Sequence, residues 1–298
     1  MFARLLLLLC LPVLSVCAEE TYAIRMARPL KAGDRFDVAV KMALDDSIKT
    51  SLDGKEVEDS QTIAACRLTG LLTVVAVTSK GQPKDVRLKL KTVECVNGGQ
   101  PSEFFKPGDE LRLRHGEPDN TTEVNGEPAE ELQIEAIESI LSVQGEDEGT
   151  DDDVFGTAEK VKLGAEWPVN ANAAVADFER EGVRGLKPEH IQGTTRLVQT
   201  TTFEDQPALL VRMDSKIDGK GIGLSTLPES VKTTRFHAEL TGEMDLPVDV
   251  QSNSGRTKGL SKLEVDASGK IEQDGVETKI ELKIRRRVAT ELKATVAK

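Results

Sequence analysis

The sequence predicts a mainly β protein: long antiparallel strands in two related halves, with one or two helices near the middle. Three observations carry that reading. Apolar and polar residues alternate over long runs, turn-forming residues punctuate the runs, and a short pattern recurs on either side of an acidic stretch.

The alternation starts at Phe36, Val38, Val40, Met42 and Leu44, interleaved with Arg35, Asp37, Ala39, Lys41 and Ala43. It returns at Phe236, Ala238, Leu240, Gly242, Met244 and Leu246, set against His237, Glu239, Thr241, Glu243 and Asp245. Near the C-terminus Ile280, Leu282, Ile284, Val288 and Leu292 share one parity. A period of two gives each strand one dry and one wet face, which antiparallel sheets tolerate and parallel sheets usually do not. Turns are expected at Ser79-Lys80-Gly81-Gln82, at Glu204-Asp205-Gln206-Pro207 and at Asp266-Ala267-Ser268-Gly269. One helix follows Asn125-Gly126-Glu127-Pro128, because Leu132, Ala136, Ile137, Ile140 and Leu141 fall at helical spacing. Pro128 suits its first turn.

Gly145 to Asp153 reads GEDEGTDDD. So acidic a run predicts a solvated linker, 145–156, between a first β-rich half, 19–144, and a second, 157–298. Either side of it, Lys31-Ala32-Gly33-Asp34-Arg35-Phe36-Asp37-Val38 matches Lys162-Leu163-Gly164-Ala165-Glu166-Trp167-Pro168-Val169 as Lys-x-Gly-x-x-aromatic-x-Val. Gln82-Pro83 before Val86-Arg87-Leu88 is echoed by Gln206-Pro207 before Val211-Arg212-Met213, and Glu123-Val124-Asn125-Gly126 more loosely by Glu264-Val265-Asp266 with Gly269. These echoes suggest an internal duplication. The competing reading is that Lys-x-Gly-Asp is a generic strand entry, since Lys106-Pro107-Gly108-Asp109 precedes Leu111 and Leu113.

Met1 to Ala18, MFARLLLLLCLPVLSVCA, has the layout of a secretory signal peptide: Arg4, a Leu-rich run, and Val16 and Ala18 before the expected cut after Ala18. Its apolar run is too short to span a bilayer and no second one follows, so no transmembrane segment is expected. Leu14-Ser15-Val16-Cys17 resembles a lipoprotein signal, but Val16 stands where Gly, Ala or Ser is wanted, which disfavours a lipid anchor at Cys17. Of the four cysteines, Cys66 and Cys95 remain after cleavage. In an oxidising compartment they read as a disulfide, or else as two buried thiols. A two-residue turn at Lys80-Gly81 would set opposed residues to index sums of 161, which Cys66 and Cys95 satisfy.

Loss of the leader takes the formal net charge from -12 to -13, since only Arg4 leaves. That charge repels nucleic-acid backbones and anionic headgroups. Aromatics are only 3%, which argues against stacking platforms for bases or sugars.

The succession of leader, Gly-Asp-Arg-Phe strand at Gly33 to Phe36, meander, helix, Gly-x-x-Trp strand at Gly164 to Trp167, second meander and long final strand resembles a group of uncharacterised bacterial secreted β-rich proteins, a domain of unknown function. The resemblance implies long, bent antiparallel strands. In that it is similar to the half-barrels of LolA-type periplasmic lipoprotein carriers.

Catalytic chemistry is not evident. No GxSxG surrounds a serine, and His115, His190 and His237 show no ligand spacing. Asp218-Gly219-Lys220-Gly221-Ile222-Gly223 fails the P-loop pattern and reads as a mobile loop. The acidic run 146–153 could take calcium, but it is not an EF-hand. Arg286 falls on the apolar parity of the last strand. It demands a carboxylate partner, and marks either an exposed rim or an anion-facing residue at the mouth of a cavity. No cofactor is expected. The reading is a secreted or periplasmic, non-enzymatic binding or scaffolding protein whose partner is an envelope protein. The alternative is a carrier of an apolar ligand, lipid or acyl chain, with Phe36, Met42, Met213, Phe236 and Met244 as its candidate ligand face. A hydrolase is the remote third reading.

Overall fold

A computed structural model describes residues 20–116, 120–273 and 276–297. The leader, Cys17 and the expected cleavage point lie outside the described residues. The chain is mainly β, and its strands are β1 (Thr21–Tyr22), β2 (Arg35–Leu52), β3 (Lys55–Val77), β4 (Pro83–Asn97), β5 (Gln100–Ser102), β6 (Glu110–Arg114), β7 (Thr121–Val124) and β8 (Glu127–Pro128). After them come β9 (Val161–Lys162), β10 (Glu166–Pro168), β11 (Val183–Arg184), β12 (Ile191–Phe203), β13 (Gln206–Gly219), β14 (Gly223–Leu224), β15 (Val231–Pro247), β16 (Gly255–Gln273) and β17 (Val276–Val296). The α-helices are α1 (Glu131–Glu138), α2 (Asp151–Phe155) and α3 (Ala171–Arg180), with a 3-10 turn at Pro188–His190.

One antiparallel sheet of 13 strands holds the molecule together, in the order β10-β12-β13-β15-β16-β17-β2-β3-β4-β6-β7-β8, with β5 on β4. Two meanders in chain order therefore lie side by side, one closed by β17 and the other opened by β2, and these two strands form the central seam. Val296 faces Phe36 at one end of that seam and Ile280 faces Leu52 at the other. The two halves are thus joined within a single sheet, by backbone ladder hydrogen bonds.

Four hairpins use two-residue turns with both residues at positive φ: Asp53-Gly54, Gly98-Gly99, Asn125-Gly126 and Glu204-Asp205. Such turns match the right-handed twist of the strands they join. The Lys31 and Lys106 copies of Lys-x-Gly-Asp are the same structure twice. In each, the Asp side chain accepts the lysine's backbone N–H (Lys31 to Asp34 Oδ2 2.8 Å, Lys106 to Asp109 Oδ2 2.7 Å) and the Asp N–H returns to the lysine carbonyl. At Lys162 the turn persists through Ala165 N–H to Lys162 O at 3.1 Å, without the side-chain bond.

Three sequence expectations are corrected here. Asp266-Ala267-Ser268-Gly269 is not a turn but mid-strand in β16, with Ala267 buried between Thr233 and Leu282; the pairing of β16 with β17 continues beyond it to Gln273 with Val276. Pro128 ends β8, and α1 starts later, at Glu131. The acidic stretch does not hang free: Thr150 and Asp153 cap α2, Val154 is buried, and Asp152 Oδ1 accepts the Met26 N–H at 2.8 Å. That last bond also shows that the chain start belongs with the second half. Tyr22, Ile24 and Met26 pack on Leu197, Leu209, Val211, Met213 and Leu246. Arg28 then donates to the carbonyls of Pro247 and Asp249. Helix α3, which the sequence reading passed over, is capped by Asn170, whose Oδ1 accepts from Ala173 N–H, and buries Ala174.

The sheet's inward face is covered in patches. Around Phe36, Val38, Val40, Leu68, Leu88 and Ile137 it packs under α1, and around Ile217, Phe236, Val265 and Ala267 it packs under α2, α3 and their loops. The outward face carries cross-strand ion pairs such as Lys41–Glu291, Arg235–Glu264 and Lys262–Glu239, each of small energetic weight.

Candidate functional site

The site is built on the central seam. Inward positions of β2 run Val38, Val40, Met42, Leu44, Asp46, and those of β17 opposite them run Ala294, Leu292, Thr290, Val288, Arg286. Helix α1 crosses this face. Its start is tied down by Gln133, which accepts the Glu130 N–H at 3.0 Å and donates to Phe104 O at 2.9 Å. Ala136 and fully buried Ile137 press it onto the sheet.

Over this face lie two apolar pockets at successive positions along β2, the outer one under α1 and the inner one under the segment that follows it, Ile140 to Ser142. The inner one, about 120 Å³, is lined by Val38, Val40, Leu72, Leu88, Leu141 and Leu292. The outer one, about 90 Å³, is lined by Met42, Leu44, Ala64, Phe104, Ala136 and Val288, with Leu132, Thr62, Asn97, Glu135 and Arg286 around it. Met42 lines the outer pocket, with Ser139 Oγ against its sulfur. Leu132 at the outer pocket is 49% exposed. We call the pair the slot.

The slot's polar end is an ion triad. Arg286 Nη2 and Nε donate to Asp46 Oδ2 at 2.6 and 3.2 Å, and Nη2 lies 3.8 Å from Glu135 Oε1. The Asp46 hydrogen bond outweighs burial and holds the Arg286 guanidinium above its ordinary pKa. Asp46 is the carboxylate that the parity of Arg286 demanded; it sits directly across the seam. Asp46 Oδ1 is sealed from solvent and has no donor among the described residues. Asp46 and Glu135 were not singled out in the sequence, although Asp46 shares the parity of Met42 and Leu44, and Leu132 was named only for its helical spacing.

Cys66 and Cys95 are bonded, with Cα atoms 4.2 Å apart, and Cys66 lines the outer pocket. The sequence route to that pair needs amendment. The turn is a three-residue loop, Ser79 to Gly81, closed by Thr78 and Gln82, so the index sum is 160 at Gly70 with Leu90. A bulge at Lys91 restores 161 from Thr69 with Thr92 onward to the cysteines.

The five residues of the expected ligand face do not share one surface. Met42 lines the slot; Phe36 is packed under α1, Phe236 in the second half, and Met213 under the N-terminal segment with half-buried Met244. Four of the five are buried, so alternation alone marked packed core. The histidines lie apart. His237 Nδ1 is 2.6 Å from Asp218, His115 Nδ1 is 3.8 Å from Glu148, and His190 Nδ1 accepts the Lys187 N–H. The Gly219–Gly223 segment is not a loose loop, since Ile222 is fully buried and its N–H donates to Thr233 Oγ1. Among the described residues no group of three or more His, Cys, Asp or Glu is arranged to hold a metal, and no helix is long and apolar enough to cross a membrane.

Neither a family model nor a curated protein matches the chain. Among solved structures the chain is similar to the crystal structure of Pseudomonas aeruginosa OccK11 (OpdR). That alignment is 8% identical over 89% of this chain and 98% of the other, with a TM-score of 0.18, a likeness too slight to bear on fold or function.

Proposed function

We propose that this is a non-enzymatic binding protein of the cell envelope, exported by a leader cleaved after Ala18, that holds a slim apolar ligand between α1 and the central seam. The observation that supports it is the slot: pockets of about 90 and 120 Å³ in tandem, walled by aliphatic side chains and open beside exposed Leu132. An apolar cavity of about 150 Å³ already takes up benzene, so space of this size and lining suits a short chain or the end of a longer one. It is too narrow for a drug-sized molecule, whose pockets run from about 300 Å³ upward.

The competing mode is docking through a strand edge. Beyond Ala64 paired with Asn97, the outer side of β3 from Lys55 to Thr62 has no strand partner among the described residues. Lys55, Glu56, Glu58 and Asp59 crowd that stretch, and charge on an edge strand is the usual guard against added strands. The slot is therefore the better-supported binding element. The two side-by-side meanders also favour an ancestral duplication, with β2-β3-β4 answering β10-β12-β13.

Native mass spectrometry of the mature protein, exported through its own leader and purified without detergent, tests the carrier. Extra mass that disappears on organic extraction is expected. A clean unliganded mass together with no saturable uptake of decanol would overturn it.

A further inference from the structure

The triad at the outer end of the slot says what the polar end of the ligand should be. This rests on the slot holding an apolar chain. A lone arginine at a pocket mouth would suggest an anionic head, but Arg286 is already committed. Two of its nitrogens bond Asp46, and Glu135 stands beside it at 3.8 Å. One positive charge faces two negative ones, so the mouth is negative by one unit. The Asp46 side chain is only 10% exposed and its Oδ1 has no donor among the described residues, so its charge is balanced on one side only. Glu135, 50% exposed, is the carboxylate a ligand can reach. Helix α1, which frames the mouth, reads ELQIEAIE and contributes no lysine or arginine to offset it. The remaining polar groups of the lining, on Thr62, Asn97 and Ser139, are neutral.

We infer that the ligand is an apolar chain bearing an ammonium head, the chain lying in the slot and the ammonium against the Glu135 carboxylate. An anionic head of the same length would meet the uncompensated negative charge instead, and Arg286 could turn to it only by leaving Asp46 buried without its partner, a costly exchange.

The test is isothermal titration of the full mature protein, stripped of bound lipid, with decylamine, decanol and decanoate at pH 7. Decylamine is expected to bind at least about tenfold more tightly than decanoate, a difference of about 1.4 kcal/mol, through one added attraction and one removed repulsion. Glu135→Gln should bring the two within about threefold, with a smaller change for decanol than for either charged ligand, and Glu135→Lys should reverse the order. Glu135 is half exposed and caps nothing, so these variants retain the fold. Decanoate binding as well as decylamine overturns the head assignment and leaves the slot standing. A decylamine preference that survives Glu135→Gln also overturns it, since general surface acidity is then the cause. If none of the three binds, the slot itself is wrong.

Discussion

Asp46 and Arg286 make a pair whose two halves should differ in what their loss costs. Arg286→Met leaves an aspartate with 10% side-chain exposure facing apolar neighbours and stripped of the one charged partner it has among the described residues. Breaking a buried ion pair from one side costs about 3–5 kcal/mol. Because Arg286 is itself 39% exposed and water reaches that side, we expect the lower end, about 3 kcal/mol. Asp46→Leu is milder: the guanidinium can turn outward and still finds Glu135, which limits the loss to about 1 kcal/mol. The double variant removes both charges from a face whose flanking residues on β2 and β17 are Leu44, Ile48, Ile284 and Val288, and should fall within about 1 kcal/mol of the wild type. Urea unfolding of the four proteins, followed by far-ultraviolet circular dichroism, gives the coupling energy, expected near 3 kcal/mol. Equal costs for the two single variants, or a double variant as unstable as Arg286→Met, would refute the reasoning that Asp46 is buried and Arg286 merely serves it.

Other consequences are simpler to measure. Cys66→Ala with Cys95→Ala opens a loop with a sequence separation of 29 and should lower the unfolding free energy by about 3–4 kcal/mol; an unchanged urea midpoint would show that the bond adds nothing to the hairpin. Ile137→Ala empties the best-buried contact of α1, and a loss of about 2–5 kcal/mol together with weakened decanol uptake is expected. Gly70→Ala places a Cβ 2.6 Å from the Lys89 carbonyl and 2.7 Å from Leu88 Cδ1, so overpacking of about 1–3 kcal/mol should appear in the same assay. Acid should destabilise the protein through carboxylates held below their ordinary values: Asp153 by the Thr150 N–H, Asp218 by His237, Glu291 by Lys41. A depressed carboxylate adds stability above its unfolded value, 3.8 for Asp and 4.5 for Glu, and loses it as pH falls through the depressed one. Melting temperature should therefore decline from about pH 4.5 downward, and a flat profile to pH 3 would contradict the assignment.

The mainly β character was legible because side-chain parity is a local property, readable from Phe36 to Leu44 without knowing any partner. Parity also flagged Arg286 as needing a carboxylate, though not which one, since Asp46 meets it only across a pairing of distant segments. The cysteine bond was reached through two errors that cancelled, a turn one residue too short and an unseen bulge at Lys91. Asp266 to Gly269 has turn chemistry, yet Val231 to Arg235 on one side and Ile280 to Lys283 on the other pair with it as sheet, and tertiary pairing overrides local propensity. The acidic stretch misled for the same reason. Composition does not reveal that Asp152 accepts a backbone N–H from Met26, far away in sequence. Of the slot the sequence marked only Met42 and Arg286 as candidate ligand contacts, since a strand facing a packed core and one facing a gap carry the same aliphatic residues.

The central seam has a consequence for how the chain reaches this state. Until Val276–Val296 has been synthesised, β2 can ladder only with β3, and its other side offers a long row of unsatisfied donors and acceptors. The pairing with the greatest sequence separation in the sheet is thus the last available, which places this protein among slow, high-contact-order folders. The first meander must wait as an open-edged intermediate exposed to association with other chains. A chain arrested before β17 would keep both meanders and lose their junction, yielding two sheets with bare inner rims in place of one.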